Sequence, residues 1–431
     1  MRFTAHLITS LTALLAITTA TSIENRSGFT IQQVQKCGLA APRSPLVTYA
    51  LAVLKSDATK SPDLLAFLDF DLGLNRSVTA ISEPFDLEYL SPVNVGGKIL
   101  NLAIDTGSAD LWVFSSQLPV KDRTGHDYYV TRPEKLLNGS FWEVQYGDGS
   151  YAKGNVYMDT VSINDVVAPR QAIQAAQEVG SVFSGDTNND GILGLGFNFI
   201  NSIRPKAQLG FFDNVRDTLP EPIFTASLKH EEPGTFDFGY IDETKYEGSI
   251  TYTPVDTRDG YWTISATGFA IGNYTNHNAT IKGLIDTGTT LLLLPPDIVS
   301  AYYASIPTAR RISPDLDPSI TIGGWTIPCN ATVPPFSVII ENRYTATIPA
   351  EYIKFQPMGY YGGDEHVCFG GIQEAVGERA VIFGDLLLKS QFLVFDQGGE
   401  RVGWARQSGS GKGEGGVVEE ELEDGLGLRK G

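Results

Sequence analysis

Residues 102–114 read LAIDTGSADLWVF, centred on Asp105-Thr106-Gly107-Ser108. Leu100, Leu102 and Ile104 alternate with Asn101, Ala103 and Asp105, the two-residue period of a strand with one buried face. The run ends at Gly107, where the chain must turn. One carboxylate therefore stands at the tip of a buried strand, followed by two hydroxyls and a tight backbone. Nearby hydroxyls and amides can hold such a carboxylate and hydrogen-bond its charged form. Alone the triplet is weak, since about one unrelated chain in ten of this length would carry a chance Asp-Thr-Gly.

The signal gains force because it occurs twice. Leu284-Ile285-Asp286-Thr287-Gly288-Thr289 repeats Ala103-Ile104-Asp105-Thr106-Gly107-Ser108. Both copies have a large aliphatic residue before the Asp and a hydroxyl residue after the Gly. Each is followed by a second matching element, Ile192-Leu193-Gly194 in the first half and Ile382-Phe383-Gly384 in the second. That is the internal duplication of one domain-sized unit.

On these motifs the chain resembles the pepsin-like aspartic endopeptidases, in their secreted fungal branch (aspergillopepsin- and penicillopepsin-like). The resemblance runs from about residue 88 to 405. It includes Trp112 and the stretches VQYGDGS (144–150), NDGILGLGF (189–197), GYWTIS (260–265) and VIFGDLLLKSQFLVFD (381–396). It implies an all-β, bilobal fold with a central cleft, one Asp-Thr-Gly from each lobe at its floor and a flap hairpin above. By the same resemblance Asp105 and Asp286 are the catalytic pair, and Ser108 and Thr289 orient them. Thr106 and Thr287 tie the two loops together, and Gly107 and Gly288 complete the motifs. Tyr146, Gly147 and Asp148 belong to the flap, and Trp112 hydrogen-bonds its tyrosine. An Asp at position 148 implies that the flap accepts a lysine next to the scissile bond. No cofactor or metal is implied, and the expected state is a monomer acting on protein and peptide substrates.

The remaining chain fits that frame. At 431 residues there is ample length for a large core, and the net charge of −18 argues against a nucleic-acid partner, which needs a basic face. Residues 1–20 read as a secretory signal: Arg2, an apolar run and a small-residue cleavage site. The apolar part is too short to span a membrane, so the expected location is extracellular in preference to vacuolar. Residues 21–80 read as a propeptide acting as the enzyme's own inhibitor. In the family a propeptide lysine pairs with the two carboxylates, and Lys55 is the candidate. Six Lys/Arg against five Asp/Glu make this segment near-neutral, which weakens the case for acid-triggered release.

From Glu83 onward short Val-, Ile-, Thr-, Tyr- and Phe-rich runs alternate with Gly-, Asn- and Asp-bearing turns, an all-β pattern. Gly96-Gly97 reads as a hairpin turn and residues 142–159 as a long hairpin. Helices are expected to be few, foremost near 209–218 and 296–305. The first lobe is expected over 81–254, the second over 255–406, and a disordered, acidic, Gly-rich tail over 407–431. Tyr261 and Trp262 read as core and cleft wall. Cys329 and Cys368 match the family's single fungal disulfide, and Cys37 falls in the propeptide. Sequons occur at Asn25, Asn75, Asn138, Asn273, Asn278 and Asn330.

Other chemistries find little support. Of five histidines, His6, His126, His230, His277 and His366, none is paired at metal spacing. No Gly-x-Ser-x-Gly elbow, phosphate loop or dinucleotide fingerprint occurs. The rival reading is a catalytically inactive peptide-binding or inhibitor protein on the same fold. Both Asp-Thr-Gly motifs, Tyr146 and Trp112 are intact, which weighs against it.

Overall fold

The computed structural model describes residues 29–32, 48, 86–146, 150–164, 166–312, 323–360, 366–376 and 381–409. The signal segment, Lys55 and the flap-tip residues Gly147 and Asp148 lie outside them.

The first half is built on a seven-stranded sheet. Its order is Leu90–Val95, Lys98–Asp105, Gly191–Gly194, Leu111–Val113, Val166–Val179, Tyr151–Ile163 and Leu136–Gln145. The Gly96-Gly97 turn opens it. Both glycines have positive φ, +61° and +94°, and Asn94 Oδ1 caps the turn by accepting from Gly97 N at 2.9 Å. The second half has a five-stranded sheet in the order Thr263–Ala266, Ile281–Ile285, Ile382–Phe383, Leu292–Leu294 and Ile372–Glu374, with two four-stranded sheets beside it.

The duplication seen in sequence is a duplication of pairing. In the first half Ala103, Ile104 and Asp105 run parallel to Ile192, Leu193 and Gly194, which in turn run antiparallel to Leu111–Val113. In the second, Leu284 and Ile285 run parallel to Ile382 and Phe383, which run antiparallel to Leu292–Leu294. The glycine closing each supporting strand is sterically required. A Cβ on Gly194 would lie 2.6 Å from the Ser108 carbonyl oxygen, and one on Gly384 would lie 2.4 Å from that of Thr289.

A six-stranded sheet joins the halves. Ile223–Lys229, Glu232–Phe238 and Tyr246–Pro254 from the first share it with Gln391–Asp396 and Arg401–Gln407 from the end of the chain. Phe224 stacks on Phe395 at 4.6 Å between ring centroids, and Trp262 meets Phe395 edge-on. The strand Phe29–Gln32, from the N-terminal segment, pairs antiparallel with Glu232–Phe238 at the edge of this sheet. Gln407 belongs to this sheet rather than to the tail. It is buried, and its amide donates to Ser227 Oγ and the Leu228 carbonyl.

The expected helices are Phe211–Val215 followed by a 3₁₀ turn at Arg216–Thr218, and Pro296–Ala304, which starts on its own proline. Three further short ones among the described residues were not anticipated: Ser181–Gly185, Ala350–Ile353 and Asp385–Leu388. One turn of helix is too short to carry a hydrophobic period. Cys329 and Cys368 form a disulfide. Asn138, Asn273, Asn278 and Asn330 are all exposed.

Candidate active site

Asp105 ends the strand Lys98–Asp105 and Asp286 follows Ile281–Ile285, and both are almost fully buried. Their surroundings repeat atom for atom. Asp105 Oδ1 accepts from Gly107 N at 2.8 Å, and its Oδ2 accepts from Ser108 Oγ at 2.6 Å. Asp286 Oδ1 accepts from Gly288 N at 2.9 Å, and its Oδ2 from Thr289 Oγ1 at 2.7 Å. Two donors fix the rotamer of each carboxyl group.

Thr106 and Thr287 bring the two motifs together across 181 residues of chain. Each backbone N–H donates to the other's hydroxyl at 3.1 Å. Thr106 Oγ1 in turn donates to the Ile285 carbonyl at 2.8 Å, and Thr287 Oγ1 to the Ile104 carbonyl at 2.7 Å. The loops meet so closely that a Cβ on Gly107 would lie 2.6 Å from the Asp286 carboxyl carbon. No larger residue fits at 107 while Asp286 stays in place.

A cavity opens above the pair, lined by Asp105, Tyr146, Phe183, Ile192, Thr289 and Thr48 among others. Tyr146 follows the strand Leu136–Gln145, which pairs with Tyr151–Ile163 as the long hairpin. Its N–H donates to the Ser150 carbonyl, and its hydroxyl accepts from Trp112 Nε1 at 2.8 Å. That bond ties Trp112 to the end of the hairpin, beside the cavity.

The N-terminal edge of the cleft is also fastened. Buried Asp86 accepts from His230 Nδ1 at 2.6 Å, Lys389 Nζ at 2.9 Å and Glu231 N at 2.7 Å. Burial alone would raise its pKa, but His230, Lys389 and the backbone donor together bring it below the usual carboxylate value. Thr290 Oγ1 donates to the Leu87 carbonyl at 2.9 Å. These bonds set Leu87 and Glu88 at the cavity wall.

Asp110 lies behind the first motif. It is buried, and its Oδ1 accepts from Asn201 Nδ2 and Ser202 N, both at 2.8 Å. Burial raises its pKa despite these donors. Asp110, Phe183 and Glu88 are not among the site residues expected from the sequence. A carboxylate within the otherwise apolar run ADLW was the available signal for Asp110, whereas Phe183 had none. Trp262 is core, as expected: it is fully buried and its Nε1 donates to the Leu195 carbonyl at 2.9 Å. Among the described residues no cluster of three or more His, Cys, Asp or Glu could hold a metal ion.

Two hydrogen-bonded carboxylates meeting across a duplicated fold can activate a water. Residues 88–407 match the family model of the eukaryotic aspartyl proteases. This chain belongs to that family. It is 44% identical over 398 residues to penicillopepsin-3 of Penicillium janthinellum, covering 92% of this chain and 97% of the relative. It is 42% identical over 389 residues to aspergillopepsin-1 of Aspergillus fumigatus, covering 90% and 94%. Penicillopepsin-1 of Penicillium rubens is 43% identical over 386 residues, covering 89% and 93%. This aspartyl protease is thus a hydrolase, an aspartic endopeptidase with the bilobal pepsin-like fold. No helix among the described residues is long and apolar enough to cross a membrane.

Proposed function

We propose that Asp105 and Asp286 are the catalytic dyad. The observation that carries this reading is the reciprocal Thr106/Thr287 exchange, which sets two identically bonded carboxyl groups at one junction. Two carboxylates sharing one site do not both ionise readily, so one proton is shared and the pair titrates as a unit. The ionised member takes a proton from a water held between them. That water attacks the scissile carbonyl while the protonated member polarises its oxygen, giving a neutral diol. A proton then passes to the leaving amine and the C–N bond breaks.

Tyr146 closes over an extended peptide. The apolar walls at Ile192, Val182 and Phe183 favour large hydrophobic side chains around the scissile bond. Acceptance of lysine at Asp148 rests on the family resemblance. The chain is made as a secreted zymogen. Thr48, buried in the same cavity as Asp105, supports the N-terminal segment as the occluding element.

The test is hydrolysis of an unfolded protein at pH 3–4 after acid incubation. Asp105→Asn and Asp286→Asn should each lose at least about a thousandfold in kcat while retaining the native fold. Either variant keeping more than a tenth of wild-type kcat would remove that residue from the dyad.

A further inference from the structure

His126 takes no part in the chemistry, yet it is built into the cleft wall from behind. Its ring is buried and stacks on Phe114, with centroids 3.7 Å apart and planes 13° from parallel. Both ring nitrogens face carbonyl oxygens. Nδ1 is 2.9 Å from Asn189 O, and Nε2 is 3.5 Å from Ser184 O. A neutral imidazole has one N–H and one lone pair, so it can serve only one of these acceptors and must turn its lone pair towards the other. The imidazolium has two N–H groups and serves both.

The two carbonyls belong to the segment that forms the wall. Ser184 lies in the short helix Ser181–Gly185, next to Phe183. Phe183 packs edge-on against Trp112 at 4.8 Å and Tyr146 at 5.6 Å, the two residues whose hydrogen bond holds the flap. Val182 and Phe183 also line the cavity above Asp105. The loop carrying His126 is pressed onto the same segment, and a Cβ on Gly125 would lie 2.8 Å from Thr187 Cγ2. His126 is thus connected to the flap through the backbone of 184 and 189 and the ring of Phe183.

We propose that His126 is a positioning residue for substrate binding, whose ring, held between the Asn189 and Ser184 carbonyls, keeps Val182 and Phe183 against the Trp112/Tyr146 pair. Removing the ring's donor capacity frees those carbonyls and loosens wall and flap together. The aspartyl protease would then lose affinity for substrate, separately from any change at the dyad. The charged groups on the elements around the ring are Asp186 and Asp190 on the wall segment and Asp122, Arg123 and Asp127 on its own loop. Asp190 Oδ1 is 3.9 Å from Nδ1, and that carboxylate also accepts from Asn101 N and Asp127 N. Asp127 pairs with Lys98, Asp122 with Lys121, and the Arg123 guanidinium lies over Tyr128. The strand ending at Val113, before Phe114, brings only apolar residues.

The test uses the acid-processed enzyme and a peptide substrate with a large apolar residue before the scissile bond. His126→Phe keeps the aromatic stack and removes both donors; His126→Gln keeps one. At pH 3.5 His126→Phe should raise KM about five- to tenfold with kcat within twofold, since only part of what the lost hydrogen bonds contribute reaches the substrate. His126→Gln should fall between. An unchanged KM for His126→Phe would overturn the proposal, and so would His126→Gln raising KM as much as or more than His126→Phe, which is what simple loss of the aromatic packing gives.

A second measurement reads the connection directly. The Phe183 ring NMR signals should move in both His126→Phe and His126→Gln relative to wild type. Phe183 signals indifferent to both substitutions would refute the connection.

Discussion

Replacing Thr106 by valine tests whether one reciprocal contact both stabilises this molecule and sets its chemistry. Valine matches threonine in shape, so packing is preserved and only the hydroxyl is lost. Thr106 Oγ1 serves two partners: it accepts from Thr287 N at 3.1 Å and donates to the Ile285 carbonyl at 2.8 Å. Thr106 is fully buried, so water cannot replace either bond. Leaving a buried polar group unsatisfied costs about 1–3 kcal/mol, so the two together cost about 2–6 kcal/mol. Against a total stability of about 5–15 kcal/mol for a typical domain, that is a large share. Thr287→Val removes the mirror pair of bonds and should cost the same to within about 1 kcal/mol. Thr106→Ser keeps the hydroxyl and should lose only about 1 kcal/mol, the value of a buried methyl group. Urea unfolding followed by tryptophan fluorescence reads these values, on an Asp105→Asn background that stops autolysis. On the active background kcat should fall at least tenfold, because Asp105 and Asp286 each adjoin one of these threonines and small misplacements are costly. Valine variants destabilised by less than about 0.5 kcal/mol, with kcat within twofold, would refute the reasoning.

Further outcomes follow from the same structure. Burial raises the pKa of Asp110 above its unfolded value, so the native state binds the extra proton. Its contribution is present at low pH and is lost as pH rises through the folded pKa. Asp110→Asn should therefore match wild type in urea midpoint at pH 3 and exceed it at pH 6.5; a variant less stable at pH 6.5 than at pH 3, relative to wild type, contradicts this sign. Removing the disulfide by Cys329→Ala with Cys368→Ala opens a loop of 39 residues, worth roughly 3–4 kcal/mol by loop entropy. Thermal melts should show that loss with KM little changed, since the bond lies away from the residues lining the cavity. A shift of less than 1–2 °C in Tm would show that the loop is restrained by other means.

The duplicated motif made much of the site legible. Asp105, Asp286 and their hydroxyl partners carry their roles in short contiguous runs, so strand, turn and donor are adjacent in sequence. The hairpin around Tyr146 was readable for the same reason, because alternation and turn residues are local signals. The six-stranded sheet was not. Its paired strands lie as far apart in sequence as Phe29 and Phe238, and nothing in the run GERVGWARQ says that it pairs with Tyr246–Pro254. Phe183 and His126 were illegible for a related reason, since a lone aromatic or histidine acquires meaning only from what packs against it.

By itself, the sequence determined that two copies of one β-rich unit each present an Asp-Thr-Gly, because hydrophobic period, turn chemistry and repetition are properties of the chain read locally. The tertiary structure decided how those copies meet. The Thr106 and Thr287 hydroxyls exchange bonds across the junction, Gly107 admits the Asp286 carboxyl group, and the final strands cross back to join the halves. These contacts join residues remote in sequence, and only burial on both sides fixes which partners they find.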